Sequence, residues 1–332
     1  IGQGQRTQVD HNLADCLFNA SCKGILRPRS EAVLLYTLLS SVTVLTVALN
    51  LLVIISISHF RQLHTPTNLL LLSLAASDFL VGLLVMPVET VRFIESCWLL
   101  GDLMCTLSYI IEFTLTSASV GNMVLISIDR YVAICYPLQY PNKITRSRVE
   151  VCVFLCWTCS LLYNSLILKD QLSHPDRHSS CYGECLVVIN YISGAIDLVF
   201  TFISPCSVIV ALYMRVFVVA VSQARAMQSH VKAVAGGSVT ITAKKSEKKA
   251  ARTLGIVILV FLLTFCPYYY PSLAGQDTSN TASFWPFVYW LYFNSCLNPL
   301  IYAFFYTWFR KGIKLIVSFK ILEKDSSQAN IL

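Results

Sequence analysis

Seven apolar runs punctuate the chain, near 32–58, 68–92, 103–135, 148–168, 187–220, 250–273 and 283–304. Each is at least about 20 residues long, enough for a helix to cross a hydrocarbon core of about 30 Å. The period-two alternation of barrel strands is absent, so the backbone polar groups must be satisfied inside helices. The pattern predicts an all-α membrane protein, a seven-transmembrane helix bundle. After the seventh run, Phe305–Ile316 mixes aromatic and cationic residues at helical spacing. That stretch suits a short amphipathic helix lying on the inner leaflet.

The polar connections set the orientation. Arg61, Lys143, Arg146, Arg148, Arg225, Lys232, Lys244, Lys245, Lys248, Lys249, Arg252, Arg310, Lys311 and Lys314 follow the first, third, fifth and seventh runs. These connections are cytoplasmic by the positive-inside rule, which puts the N-terminus outside. The formal charge of +7 is therefore a topology signal, and no nucleic-acid partner is expected. Three regions result: an extracellular segment 1–31, the bundle 32–304, and an amphipathic helix with a cytoplasmic tail 305–332. The third internal loop around 223–244 is polar and holds Gly236-Gly237. No 20–50-residue repeat and no inverted pairing of the halves is present. No cleavable signal-peptide pattern is visible, and the first run is expected to act as the membrane signal.

Composition agrees, with 55% hydrophobic and only 13% charged residues, and the chain belongs in a bilayer. Asn19-Ala20-Ser21 is a glycosylation sequon on the external side. Cys16, Cys22, Cys97, Cys105, Cys181 and Cys185 fall in or beside external segments, where disulfides are stable but sequence leaves the pairing open. Cys135, Cys152, Cys156, Cys159, Cys206, Cys266 and Cys296 read as small buried hydrophobes without metal-ligand spacing.

Two carboxylates stand inside apolar runs, Glu112 in the third and Asp197 in the fifth. An acid in mid-membrane costs several kcal/mol and marks a functional site by default. Glu112 precedes Arg130 by 18 residues, which places it about 27 Å above the inner end of its helix. Asp197 lies eight residues before Pro205, about 12 Å above it at normal helical rise. Together they suggest a pocket for a cation, including a doubly charged one. Each acid also has a structural reading, as an internally bonded group. The nearest external cations, Arg92 and Lys169, sit near span ends, where long side chains snorkel to water. A third acid, Glu89, is either paired with Arg92 at i,i+3 or free to extend the site. Tyr109, Phe113, Tyr268, Tyr269 and Tyr292 supply aromatic walls that attract ammonium groups, with plain packing as the competing reading. Thr116, one turn below Glu112, closes the floor or bonds back to its own helix.

The motifs carry a resemblance. Asp129-Arg130-Tyr131, Asn298-Pro299-Leu300-Ile301-Tyr302, Asn50, Asp78, Trp157, Pro205 and Pro267, in order along the spans, resemble the signature positions of rhodopsin-like G-protein-coupled receptors. Ser58-His59-Phe60-Arg61-Gln62-Leu63-His64-Thr65-Pro66-Thr67-Asn68, Ala303-Phe304-Phe305-Tyr306-Thr307-Trp308-Phe309-Arg310-Lys311 and Lys324-Asp325-Ser326-Ser327 are similar to trace amine-associated receptors. The resemblance implies a plasma-membrane sensor of amines in olfactory sensory neurons. Its implied partners are a small cationic amine, a heterotrimeric G protein of the stimulatory or olfactory type that raises cyclic AMP, arrestin and the lipid bilayer.

Several residue roles follow from the resemblance alone. Glu112 matches the position that usually holds the aspartate counter-ion of the ammonium, one methylene longer, with a hydroxyl at Tyr292 beside it. An acid at Asp197 resembles fish members that bind cadaverine or putrescine, and a free Glu89 would admit spermidine or spermine. Asp78, Asn50, Asn298 and Ser119 match a resting-state cluster that holds a sodium ion, the one cofactor implied; a purely structural role is its alternative. Arg130 pairs with Asp129 and reaches Glu247 in an inner lock, while Pro267 bends the sixth span. Phe265 stands where the family usually has Trp. The implied disulfides are Cys105–Cys185 and Cys22–Cys181.

No phosphate loop, zinc-protease motif or nucleophile elbow occurs, so an enzyme is not expected. The rival classes are a polyamine transporter and a monoamine receptor in which Asp197 only bonds a hydroxyl.

Overall fold

The computed structural model describes residues 28–95, 98, 100–173, 185, 187, 191–233, 255–256, 259–270, 281–323, 326–329 and 331. Helices dominate, and no strand occurs among the described residues. They are α1 (Arg29–His59), α2 (Pro66–Glu95), α3 (Gly101–Cys135), α4 (Arg146–Ile167), α5 (191–233), α6 (Leu259–Tyr270, the described part), α7 (Thr281–Phe305) and α8 (Thr307–Val317). The first seven follow the seven apolar runs within a few residues at most ends, and α8 is the amphipathic segment. The chain is a seven-helix membrane bundle.

The helices form for separate local reasons. Thr65 caps α2 by accepting from the Asn68 backbone N–H, and Pro66 occupies its first turn, where a missing N–H costs nothing. Large apolar side chains such as Leu34, Phe154, Leu162, Leu166, Phe200 and Phe217 remain exposed on the outer faces, which suits lipid contact. Inside, α3 packs against α2, α4 and α5, while α1 lies on α2 and α7. The main core runs along the inner half, through Phe60, Leu74, Met123, Ile126, Ile209, Phe261 and Tyr302. Helix α3 approaches α4 so closely at Gly121 that an added Cβ would lie 2.4 Å from Cys156 Sγ.

Proline shapes four of the spans. It donates no backbone hydrogen bond and crowds the carbonyl four residues earlier. In α2 and α5 a widened π-helical turn sits immediately ahead of the proline: Val81–Val85 before Pro87, and Leu198–Ile203 before Pro205. Such a turn holds one residue more than an α-turn, and one extra residue rotates the preceding side chains by about 100°. Uninterrupted helical rise from Pro205 therefore gives the depth of Asp197 without the face it presents. In α6 and α7 the freed carbonyls find donors on neighbouring helices. Trp290 Nε1 of α7 donates to the Leu263 carbonyl at 2.9 Å, four residues before Pro267. Asn50 Nδ2 of α1 donates to the Ser295 carbonyl at 2.9 Å, four residues before Pro299.

At the inner end Arg130 pairs with Asp129. Thr67 Oγ1 donates to Asp129 Oδ2 at 3.0 Å and Tyr140 OH donates to Oδ1 at 2.8 Å. Burial pushes the Tyr140 hydroxyl above its ordinary range, so it stays a protonated donor. Tyr131 points instead toward Tyr136, and the Tyr302 hydroxyl is buried without a described partner. Helix α8 packs on α1 and α7, burying Trp308 and Phe309. Glu247, Asn19, Cys22 and Cys181 lie outside the described residues.

Candidate binding site

Glu112 is 6% exposed, in the outer half of α3. Tyr292 OH of α7 donates to Glu112 Oε1. The second oxygen, Oε2, is buried and has no hydrogen-bond partner among the described residues. A buried acceptor left unmade costs about 1–3 kcal/mol, more when charged, so Oε2 is an acceptor that the described residues leave open.

Asp197 of α5 is half-buried, and Tyr163 OH of α4 donates to its Oδ1 at 3.2 Å. Thr201 Oγ1 donates back to the Asp197 carbonyl at 2.6 Å and lies 3.2 Å from Tyr269 OH. Tyr269 itself stacks on Phe202, with ring centroids 4.4 Å apart. Beside it, Tyr268 packs edge-on, 4.9 Å between centroids, and also packs against the cluster that holds Tyr292. One aromatic side chain of α6 thus packs near Tyr292, the partner of Glu112, and near Tyr269, beside Thr201. Tyr109 and Phe113 lie 5.9 Å apart on α3. Tyr109 OH donates to the Cys185 carbonyl at 3.3 Å, and the Phe113 carbonyl accepts from Asn164.

Arg92 corrects the sequence expectation. It does not snorkel to water: the residue is 8% exposed. Its guanidinium pairs with Glu89, donates to Ser108 Oγ at 2.6 Å, and lies 4.3 Å from the Tyr109 ring centroid and 5.0 Å from that of Trp98. The carboxylate, the hydroxyl and two ring faces offset its desolvation. Lys169, by contrast, is exposed as expected. Cys105 and Cys185 are joined, 5.6 Å between Cα atoms, and with Trp98 they wall this cluster.

Below Glu112 a small internal cavity is lined by Thr116, Tyr292, Phe265, Leu291, Ser119 and Ser295, among others. It leads to the buried Asp78, which accepts from Asn298 at 2.8 Å, Ser295 at 2.9 Å and Ser119 at 3.4 Å. Asn298 Oδ1 has no partner there among the described residues. Such an all-oxygen donor set suits a hard cation. Asn50 lies behind this cluster, bonded to the Thr46 and Ser295 carbonyls. Phe265 packs on Phe261 at 4.3 Å.

Sequence reading missed Tyr163, Thr201, Ser108 and Ser295. All four carry a hydroxyl, and hydroxyl-bearing residues are frequent in membrane helices, so only the packing singles them out.

The pattern of the 7 transmembrane receptor (rhodopsin family) matches residues 49–302. The chain is 38% identical to trace amine-associated receptor 13c of Danio rerio and 41% identical to trace amine-associated receptor 8c of Rattus norvegicus, each over 94% of both chains. It is 36% identical to trace amine-associated receptor 1 of Mus musculus, over 96% of this chain and 99% of that one. The chain belongs to the trace amine-associated receptors of the rhodopsin family. A trace amine-associated receptor is a multi-pass plasma-membrane protein that takes a small-molecule ligand and a G protein as partners, and it is not an enzyme.

Proposed function

We propose that this receptor detects amines, and diamines such as cadaverine or putrescine above all, holding one ammonium at Glu112 and the other at Asp197. The observation that carries the reading is the buried Oε2 of Glu112, unpartnered among the described residues, with Tyr268 packed against the clusters that hold Tyr292 and Tyr269. A dication answers both carboxylates at once, and the tyrosine rings between them attract ammonium groups and cover methylenes. The names of the relatives, trace amine-associated receptors, support the amine class. The resemblance of the chain further supports a stimulatory or olfactory G protein, cyclic AMP as the signal, arrestin as a later partner, and expression in olfactory sensory neurons. A resting-state sodium ion at Asp78, Ser119 and Asn298 belongs to the same reading.

A second reading has its own observation. Asp197 already accepts from Tyr163, so it serves equally as a hydrogen-bonding group for a monoamine hydroxyl. Cells expressing the receptor, challenged with pentylamine and cadaverine and read by cyclic AMP, separate the two. Cadaverine is expected to act at the lower concentration; equal potency rejects the diamine.

A further inference from the structure

The outer end of the pocket holds a positive charge of its own. Ser108 and Tyr109, which hold Arg92, stand about one turn above Glu112 on α3, so the Glu89–Arg92 pair lies beside the Glu112 carboxylate. Arg92 is buried and held on four sides, by Glu89, Ser108, Tyr109 and Trp98. Counted as ionised, Glu89 and Arg92 cancel, which leaves Glu112 and Asp197 as the two net negative charges. Glu89 is 3% exposed, so its negative charge has no bulk water to compensate it. A buried carboxylate needs a close cation, and Arg92 supplies one.

We propose that Arg92 is a specificity-determining residue that acts as a built-in third cation, fixing at two the number of ammonium groups a ligand brings. The idea rests on the two-carboxylate reading above. A triamine offers a third ammonium to a carboxylate already taken by a guanidinium that the aromatic rings hold in place. A monoamine leaves one acid uncompensated. Removing the Arg92 charge converts the outer carboxylate into a third ammonium site, so the preferred ligand class moves from diamine to triamine. Removing the Glu89 charge does the reverse, leaving a net single negative charge and weakening the advantage of a second ammonium.

The test is direct binding of pentylamine, cadaverine and spermidine to the full chain in lipid nanodiscs, measured by calorimetry and independent of any G protein. Ratios of dissociation constants within one variant remove differences in expression. In Arg92→Met the spermidine-to-cadaverine ratio should move toward spermidine by at least about tenfold, equivalent to about 1.4 kcal/mol. In Arg92→Lys, which keeps the charge, it should stay near the native value. If the native chain prefers cadaverine to pentylamine yet Arg92→Met leaves the spermidine ratio unchanged, the role of Arg92 is overturned and the diamine reading stands. If the native chain shows no such preference, both fall. Should Arg92→Met fail to fold, Glu89→Gln decides: the cadaverine-over-pentylamine preference must shrink by at least about tenfold, and its full retention overturns the proposal.

Discussion

Tyr292 donates its hydroxyl to one oxygen of Glu112 and leaves the other without a partner among the described residues. The bond joins α7 to α3 and aims the long glutamate side chain. Tyr292→Phe keeps the ring and loses the donor; hydrogen bonds to charged groups are worth about 1.5–3 kcal/mol. Amine potency should fall by roughly tenfold to a hundredfold, as read from dose–response curves. Glu112→Gln should abolish the response at matched surface expression.

Asp197 is predicted to discriminate among ligands. Asp197→Asn keeps the size and removes the charge, so cadaverine should lose far more potency than pentylamine. Tyr163→Phe removes the Asp197 partner on α4 and should change both ligands by less. Unchanged curves for both variants would make Asp197 structural.

Gly121 is predicted to be irreplaceable for steric reasons. Gly121→Ala puts a methyl 2.4 Å from Cys156 Sγ, and overpacking costs about 1–3 kcal/mol. The melting temperature of the purified receptor should drop by several degrees. Cys156→Ala in the same chain should recover most of the loss, and a double-mutant cycle measures the coupling.

Tyr140 and Thr67 hold the Asp129 side of the inner ion pair. Tyr140→Phe removes a bond to a charged group, worth about 1.5 kcal/mol at the low end for this half-buried site, which shifts a two-state population by about tenfold. Signalling without ligand is expected to rise by up to that factor, measured against surface expression. An unchanged baseline would show that Asp129 is held without Tyr140.

The bundle was legible because bilayer thickness dictates the length of each apolar run, and Glu112 and Asp197 stood out because charge is rare there. The pairing of Arg92 with Glu89 was readable from their i,i+3 spacing, but its burial was misread because position along a span does not reveal neighbours: Ser108 and Tyr109 come from α3, and only packing brings them to its guanidinium. The facing of Asp197 escaped for another reason. Straight helical rise places every residue on a regular spiral, whereas the widened turn ahead of Pro205 resets that spiral. Proline itself was readable as a bend; which donor would meet each freed carbonyl was not, since Trp290 and Asn50 reach theirs from other helices.

Those four prolines divide the receptor into unlike parts. In α2 and α5, the helices of Glu89 and Asp197, the proline is met by a widened turn of the helix's own backbone. The bends of α6 and α7 are closed by borrowed side-chain donors, which can let go and be replaced without unwinding any helix. Exchanging a side-chain donor disturbs less backbone than remaking a helical turn, so the joints of α6 and α7 are the ones a modest change in packing can reset.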